Sequence, residues 1–396
     1  MKKARWIIIG ILFLIVLAGS QFAYSVIKWR TYIWLPDYLL SFEKREIHQD
    51  NIPVHLFFII VDHYEPGRGI RGIRNNSEWL LKYRDMAKRH KDHQGRILQH
   101  TWFYPLEQFE NKIANQLSDM VHEGYGEIEV HWHHGNDTAD SFESKLSEGI
   151  KKYCSHGALI DENGRVSFAF VHGNWSLDNS CGPRVCGVNN ELKILARNGC
   201  YADFTFSTIG TNAQPKKINS IYYAKDDDGP KSYNTGTDLA VGDKPLGDLM
   251  IFQGPIGYTS YFPLYLEYGA FEVDPKPSPS RLPGMVRLSV YVKGKPEWRF
   301  LKVYTHSQQS RKAWFDGPMD ETLSALEQGI GDIPYRLHYV TAREAYNIAK
   351  AAEAGFSGPP EDYYDWLIAP PANKTDLNGY SHRIKQKSQS TVNLIH

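Results

Sequence analysis

The chain has 396 residues, which at roughly 150 residues per domain corresponds to two or three domains or to one large barrel. Lysine and arginine together number 45, and aspartate and glutamate also number 45, a balance that argues against a protein built to bind nucleic-acid phosphates. Hydrophobic residues make up 42% of the chain and charged residues 23%, so we expect a folded core and exclude extensive disorder.

The first thirty residues predict a membrane anchor. A basic start precedes 22 uncharged residues, from Trp6 to Ile27. As a helix this stretch would extend about 33 Å, enough to cross the hydrocarbon layer of a bilayer. A cleaved signal peptide is the alternative, since residues 23–25 form an acceptable small-residue cleavage site. We favour the uncleaved anchor, in which residues 1–30 form a short cytoplasmic tail and a single membrane span.

The orientation of this anchor is argued from its shape. Basic residues also follow the apolar stretch, so their distribution does not by itself favour a cytoplasmic N-terminus. A short tail before one apolar segment is typical of a signal anchor, and long domains cross the membrane largely regardless of charge. We therefore expect a single-pass protein of the cytoplasmic membrane whose large domain lies outside, in the periplasm or at the cell surface. Four cysteines are compatible with an oxidising compartment, and their spacing is unlike that of paired zinc knuckles: Cys154, Cys181, Cys186 and Cys200.

The rest of the chain divides by composition. Residues 31–51 are typical of a juxtamembrane linker, residues 52–355 of one large domain, and residues 356–396 of a polar C-terminal tail. The stretch 211–248 is rich in Asp, Gly, Asn and Thr and predicts a loop insertion within the large domain. Three aromatic side chains near the linker are expected at the membrane interface: Trp29, Tyr32 and Trp34.

Within the large domain, strand-like and helix-like segments alternate. Continuous or alternating apolar runs predict strands over residues 56–61, 97–103, 127–132, 166–171, 249–252, 286–292 and 298–304. Helical patterns lie between and after them, over residues 77–91, 107–122, 142–150, 191–196 and 341–354. Thr341 and Glu344 fit a capping box that opens the last of these helices. This alternation predicts an α/β fold built from βα units around a parallel sheet.

Three of the predicted strands end in side chains that can bind a metal. The run 56–61 is followed by Asp62 and His63, and the run 298–304 by His306. The run 127–132 leads into three histidines within four residues: His131, His133 and His134. Each side chain taken alone also fits a structural hydrogen-bonding role. In parallel α/β folds, however, the carboxyl ends of the strands form the active face, so we expect a common site with imidazole ligands suited to zinc, nickel or cobalt.

The ordered set of motifs over about residues 52–310 resembles that of the polysaccharide deacetylase (NodB-homology) family. The strand followed by Asp62 and His63 is similar to the first motif of the family, and the histidine triplet resembles its second motif, a pair of metal-binding histidines. Three further segments resemble the remaining motifs: residues 170–175, 201–205 and 303–306. The resemblance implies a distorted (β/α) barrel of seven or eight strands.

The resemblance also implies roles for individual residues. Asp62 would be the catalytic base and His306 the catalytic acid. Three histidines would hold the metal: His63, His131 and His134. Beside these roles, aromatic character makes Tyr104 and Trp175 candidates for stacking against a sugar, with packing in the core as an equal alternative for each, and Asn174 is the third expected substrate contact.

Three departures from the family pattern bear on these roles. His63 stands where the family has a second acid. His131 and His134 are three residues apart instead of four, so His133 is the alternate ligand; if the strand continues, His131 and His133 share one face. The arginine of the third motif is absent.

We therefore expect a membrane-anchored, metal-dependent hydrolase of N- or O-acetyl groups on a glycan. The expected cofactor is a divalent metal ion, with zinc as the first choice, and the expected partners are a glycan and a membrane, with no nucleic acid and no protein partner. One alternative is a catalytically decayed glycan-binding module on the same fold. Another is a metallophosphoesterase, although the sequence lacks its usual Gly-Asp-x-x-Asp and Gly-His-x-His elements.

Overall fold

In the computed structural model, which describes residues 2–41, 54–261, 264–330 and 334–373, helices and strands alternate along most of the chain. The helices are α1 Lys2–Lys28, α2 Leu35–Ser41, α3 Gly69–Arg89, α4 Asn111–His122, α5 Ala139–Cys154, α6 Glu191–Arg197, α7 Leu282–Leu288, α8 Arg311–Phe315, α9 Pro318–Gln328 and α10 Ala342–Glu353. The strands are β1 Val54–His63, β2 His100–Pro105, β3 Gly126–Trp132, β4 Phe168–His172, β5 Cys200–Asp203, β6 Ile221–Ala224, β7 Thr237–Asp238, β8 Leu249–Phe252, β9 Gly257–Tyr261, β10 Leu264–Glu267, β11 Trp298–Thr305 and β12 Tyr335–Val340.

One large sheet dominates the fold. Its strand order is β11-β1-β2-β3-β4-β5-β8-β6-β7, with β12 also paired to β1, and β9 and β10 form a separate antiparallel pair. Every pairing from β11 to β8 is parallel, whereas β6 pairs antiparallel with both β8 and β7. The predicted α/β class with a mostly parallel sheet is confirmed. Among the described strands no pairing closes the sheet, so the expected seven- or eight-stranded barrel is not observed.

Both faces of the sheet are buried, which explains why strands such as β1 read as continuous apolar runs. Leu56, Phe58 and Ile60 point to a face covered by α3, α4, α5 and α6, which we call the helix-covered face. Phe57 and Ile59 point to the opposite face, where they pack with the alanine-rich side of α10, and we call this the α10 face. Side chains alternate between the faces along every strand, so each residue's position decides which site it can join.

The structure corrects two predicted elements of the large domain. The helix α7 takes up the first part of the predicted strand 286–292. Pro283 lies in the first turn of this helix, where its missing amide hydrogen costs no hydrogen bond. Residues 221–224 within the predicted loop insertion form β6 and pair with β8 in the main sheet. The capping box that opens α10 is confirmed, because the Thr341 hydroxyl accepts from the Glu344 amide and the Glu344 carboxylate accepts from the Thr341 amide.

The N-terminal helix α1 contains a 24-residue segment, Arg5–Lys28, that is long and apolar enough to cross a membrane. The segment that follows α1 packs against the large domain. Trp34 is fully buried, and its ring centroid lies 5.6 Å from that of Tyr38 and 6.1 Å from that of Tyr258. The described part of the predicted linker is therefore docked, and Trp34 is not a membrane-interface residue. Residues 42–51 of that linker lie outside the described residues.

The predicted polar tail is packed at its start. The carbonyl group of Ile368 accepts hydrogen bonds from Arg343 and Asn347 of α10, and Ile368 itself is buried. The apolar and carbonyl contacts with α10 outweigh the polar composition of this stretch. Residues 374–396 of the predicted tail lie outside the described residues.

Candidate functional site

Four aromatic and imidazole rings meet at the carboxyl ends of β1, β3, β4 and β11. Because β1 and β11 run parallel and Asp62 is level with Thr305, the residues that follow are also neighbours. The ring of His63 lies 4.5 Å from that of His306, 4.7 Å from that of His131 and 4.8 Å from that of Trp175, measured between centroids. The predicted convergence of these strand ends is therefore present in the structure.

His63 lies at the bottom of this group. It is fully buried, and neither of its ring nitrogens has a hydrogen-bond partner among the described residues. Burial, reinforced by the neighbouring His306 and His131, holds the pKa of His63 well below its ordinary value, so the ring is neutral. A buried polar group without a partner costs about 1–3 kcal/mol, and a neutral imidazole in that position is suited to binding a cation.

Glu65 supplies the carboxylate of the site, although the sequence reasoning did not single it out. Its Oε1 lies 3.2 Å from Nε2 of His131 and 3.3 Å from Nε2 of His133, and its Oε2 accepts from Gln309. Burial by itself raises the pKa of Glu65, but the hydrogen bonds from the two histidines outweigh it and hold the pKa well below the ordinary value. Glu65 is therefore ionised.

Three side chains of this group have the geometry of a metal site. One ligand atom each from His63, Glu65 and His131 lie within 4.8 Å of one another. Nδ1 of His131 lies 3.2 Å from the Val171 carbonyl, and its Nε2 lies 3.2 Å from Oε1 of Glu65. With no ion bound, the ring proton on Nε2 is donated to Glu65; with the proton on Nδ1 instead, the carbonyl accepts it and Nε2 is free to bind an ion. Such a bond from the far nitrogen to a backbone carbonyl is how metal-binding histidines are usually oriented.

Two further imidazoles at the site are held by carboxylates. Nδ1 of His306 lies 2.7 Å from Glu272, and Nδ1 of His133 lies 2.6 Å from Glu107. In each case burial by itself lowers the histidine pKa, but the partner carboxylates outweigh it, raising the pKa of His306 and bringing that of His133 to about 9. The His133 ring is therefore positively charged near neutral pH, and Glu272 favours the protonated form of His306.

The structure places Asp62, the predicted base, on the other side of β1. Because side chains alternate, Asp62 points to the helix-covered face while His63 points to the α10 face. It is fully buried, and its carboxylate accepts from His100 at 2.9 Å and from the amide of Ser307 at 3.0 Å as well as the Ser307 hydroxyl. Its oxygens are thus engaged in holding the segment that follows β11.

His134, predicted as a ligand beside His63, lies in a different group on the helix-covered face. Its Nε2 is 3.1 Å from Glu191, and its ring centroid is 4.6 Å from that of His172. The alternation of β3 continues past its last residue, so His131 and His133 share the site with Glu65 and His134 does not.

The predicted substrate contacts separate in the same way. Trp175 borders the site, half-buried, with its ring 5.2 Å from that of Tyr304. Tyr104 is fully buried in the helix-covered core, and its hydroxyl donates to the Gln108 carbonyl, so it lies in the core and not on an accessible wall. Asn174 is half-buried and donates to the carbonyl of His134.

Comparison of the chain with models of known protein families and with curated protein sequences finds no match.

Proposed function

We propose that the chain is a membrane-anchored, metal-dependent hydrolase that removes N- or O-acetyl groups from a glycan. The observation that carries the proposal is the buried, unpartnered imidazole of His63, within ligand distance of His131 and Glu65 and beside the ring of His306. The resemblance of the ordered motifs to the polysaccharide deacetylase family supplies the substrate class. The open sheet is compatible with this proposal as a distorted form of that family's barrel.

The side chains fit a divalent ion. Two imidazoles and one carboxylate form a ligand set found in zinc hydrolases, and the unpartnered nitrogens of His63 are those that an ion would use. Such an ion would lower the pKa of a bound water and polarise an acetyl carbonyl. His63, His131 and Glu65 would hold it.

The remaining chemistry belongs to residues of the chain. His306, whose protonated form is favoured by Glu272, would give its proton to the departing amine or alkoxide. Glu65, whose pKa is held well below the ordinary value, would serve as the anionic ligand and not as a base, and the proton of the attacking water would go to solvent. Protonated His133 adds a positive charge where an oxyanion would develop.

The half-buried Trp175 and Tyr304 would form an aromatic wall against which a sugar ring can stack. Both rings lie beside His63, at centroid distances of 4.8 and 6.2 Å. A stacked sugar would thus carry its acetyl group next to the ligand set.

The geometry favours this proposal over the two alternatives. A metallophosphoesterase needs two ions about 3.5–4 Å apart, bridged by shared ligands. Here the His63 group and the His134 group lie on opposite faces of the sheet. A decayed binding module would have no need for the two histidine–carboxylate pairs, His306–Glu272 and His133–Glu107, that maintain protons at the site.

The test uses the purified full-length chain in detergent. We expect acetate release from an acetylated amino-sugar oligomer and no phosphate release from a chromogenic phosphate ester. His306→Ala should lower kcat by about 10²–10⁴-fold, the usual contribution of a general acid, while metal content is unchanged. His131→Ala should lose both turnover and one equivalent of metal.

His156→Ala is the matched control, because the ring of this histidine contacts Asn111, Asn115 and Phe109, away from the site. It should leave turnover and metal content unchanged. Full activity in His306→Ala, or phosphate release with no acetate release, would contradict the proposal.

A further inference from the structure

A second group of metal-capable side chains lies on the helix-covered face, outside the proposed catalytic site. It consists of His134, His172, Cys186 and Glu191, all buried, with one ligand atom from each within 4.8 Å of the others. Glu191 is at the centre: its Oε1 lies 3.1 Å from Nε2 of His134 and 3.9 Å from Nε2 of His172, and its Oε2 lies 3.3 Å from Sγ of Cys186. These are the separations expected of atoms surrounding one ion at about 2.0–2.3 Å.

The charge of this group is not balanced by a basic side chain. Glu191 is fully buried, and within the described part of the chain its ion-pair partners are only the two histidines. Burying a carboxylate without a cationic partner is costly. A divalent ion bound by Glu191 and a Cys186 thiolate would be neutralised by them and would remove that cost.

Two further contacts bear on Cys186 and His134 as ligands. Sγ of Cys186 accepts from the backbone amides of Asn179 and Val188, although burial and Glu191 raise the pKa of its thiol, so it would become a thiolate only with an ion bound. Nε2 of His134 lies 3.1 Å from Glu191, while its Nδ1, 3.3 Å from the Asp137 carboxylate, makes no hydrogen bond among the described residues.

His172 is the fourth candidate ligand, and its imidazole would have to change tautomer to bind an ion. It is fully buried, and its Nε2 has no hydrogen-bond partner among the described residues while it faces Glu191. The Asn174 amide lies 3.2 Å from Nδ1, so without an ion the ring proton sits on Nε2 with no acceptor. Ligation through Nε2 requires that proton to move to Nδ1 and the amide to turn away, which makes His172 the weakest of the four ligands.

A third group in the same protein shows what a cluster that needs no ion looks like. Asp92, His93 and His338 also come close together. There, however, Nε2 of His338 pairs with His55 at 2.8 Å and its Nδ1 pairs with the Tyr364 hydroxyl at 3.0 Å, while Nδ1 of His93 faces a backbone carbonyl. Hydrogen bonds account for the imidazole nitrogens of His338, in contrast to His172.

We propose that His134, His172, Cys186 and Glu191 form a second, structural metal site, suited to Zn²⁺ by its mixed nitrogen, sulfur and oxygen ligands. On binding, Cys186 becomes a thiolate and its proton goes to solvent. The site would link the ends of β3 and β4 to the start of α6. It would thereby fix both ends of the intervening segment 173–190. That segment has only short 3₁₀ turns and carries Trp175 of the catalytic site.

The test is Co²⁺ substitution of the purified full-length chain, because a thiolate ligand gives a near-ultraviolet charge-transfer band that histidine and carboxylate ligands do not. We expect the band in the wild type and in His131→Ala, and its loss together with one equivalent of metal in Cys186→Ser. Cys154→Ser is the matched control and should keep the band. His172→Gln should keep the band but bind Co²⁺ more weakly, by about tenfold or more.

Circular dichroism reports whether Cys186→Ser folds. If it does not fold, the test rests on His172→Gln and on chelation of the wild type. Chelation should abolish the band and lower the melting temperature. A wild-type protein that binds Co²⁺ without the band, or a band that survives in folded Cys186→Ser, would overturn the proposal. The band does not depend on acetate release, so this result is independent of the proposed function.

Discussion

At the scale of single residues, Glu272 decides when His306 carries a proton. Its Oε1 lies 2.7 Å from Nδ1 of His306 and 2.9 Å from the backbone amide of the same residue. Burial alone would lower the pKa of His306, and the carboxylate reverses that effect. If protonated His306 is the acid, activity is present below its raised pKa and is lost as the pH rises through it.

Glu272→Gln should therefore move the basic limb of the kcat profile to lower pH, by about 1–2 units, the equivalent of one hydrogen bond to a charged group. Metal content should not change. Glu297→Gln is the control, because this residue pairs with Lys295 at the opposite end of β11. An unshifted limb in Glu272→Gln would remove His306 from the role of acid.

The sequence predicts where the strands end, and therefore which segments meet. It predicts less well which side chains point to the same face of the sheet. His63, His131, His306 and Trp175 come together as expected. Glu65 was detectable, because it lies two residues after His63 and so continues the same face. The same alternation argues against a place for Asp62 and His134 beside His63 and His131. The resemblance to a known family implied the opposite.

Other site residues left no local signal. Glu272 lies in a proline-rich connection, and Glu107 lies directly after β2. Each reaches its histidine only through tertiary contacts, with partners 34 and 26 residues apart. No periodicity in the chain marks such a pair.

At the scale of elements, the sequence predicts most of the βα alternation. Both faces of the sheet are buried, so its strands are continuous apolar runs that stand out in the sequence. The strand predicted at 286–292 fails where Pro283 and the buried Arg281, paired with Glu267, favour a helical turn. The strand β6 was missed since only four residues of it pair, within a polar stretch. The formation of such a short strand depends on its neighbours more than on its own composition.

A buried ion pair helps to hold α10 on the sheet, beside the apolar contacts of its alanine-rich side. Arg343 donates to both oxygens of Glu127 at the start of β3, at 3.0 and 2.8 Å, and the side chains are only 4% and 1% exposed. Arg343→Met leaves the buried Glu127 carboxylate without its guanidinium, although the Thr341 hydroxyl still donates to it, and we expect the free energy of unfolding to fall by about 3–5 kcal/mol. Urea denaturation of the full-length chain measures it.

The comparison variant is Arg84→Met, which breaks an exposed pair with Glu123 whose side chains are 30% and 43% accessible. Because solvent screens that pair, its loss should cost no more than about 1 kcal/mol. Equal losses in the two variants would mean that α10 is not held by the charge pair.

At the scale of the whole molecule, the segment that follows α1 packs against the large domain. Trp34 and Tyr38 lie in an apolar cluster with Ile256 and Leu288 of the domain, directly after α1. If α1 spans a membrane, the domain is therefore held close to it in one orientation. The four cysteines are all free thiols, so they give no support to an oxidising compartment, and the side of the membrane depends on the anchor argument alone.

Cys181 allows that argument to be tested directly. It is exposed, whereas Cys154 is half-buried and the other two cysteines are buried. With a single span, every residue after α1 lies on one side, so a membrane-impermeant maleimide should label the protein in intact cells if the large domain lies outside. Cys181→Ser should lose most of that labelling, since the remaining thiols are shielded by the fold. Labelling that appears only after the membrane is permeabilised would place the domain in the cytoplasm, and the glycan would then have to be an intracellular one.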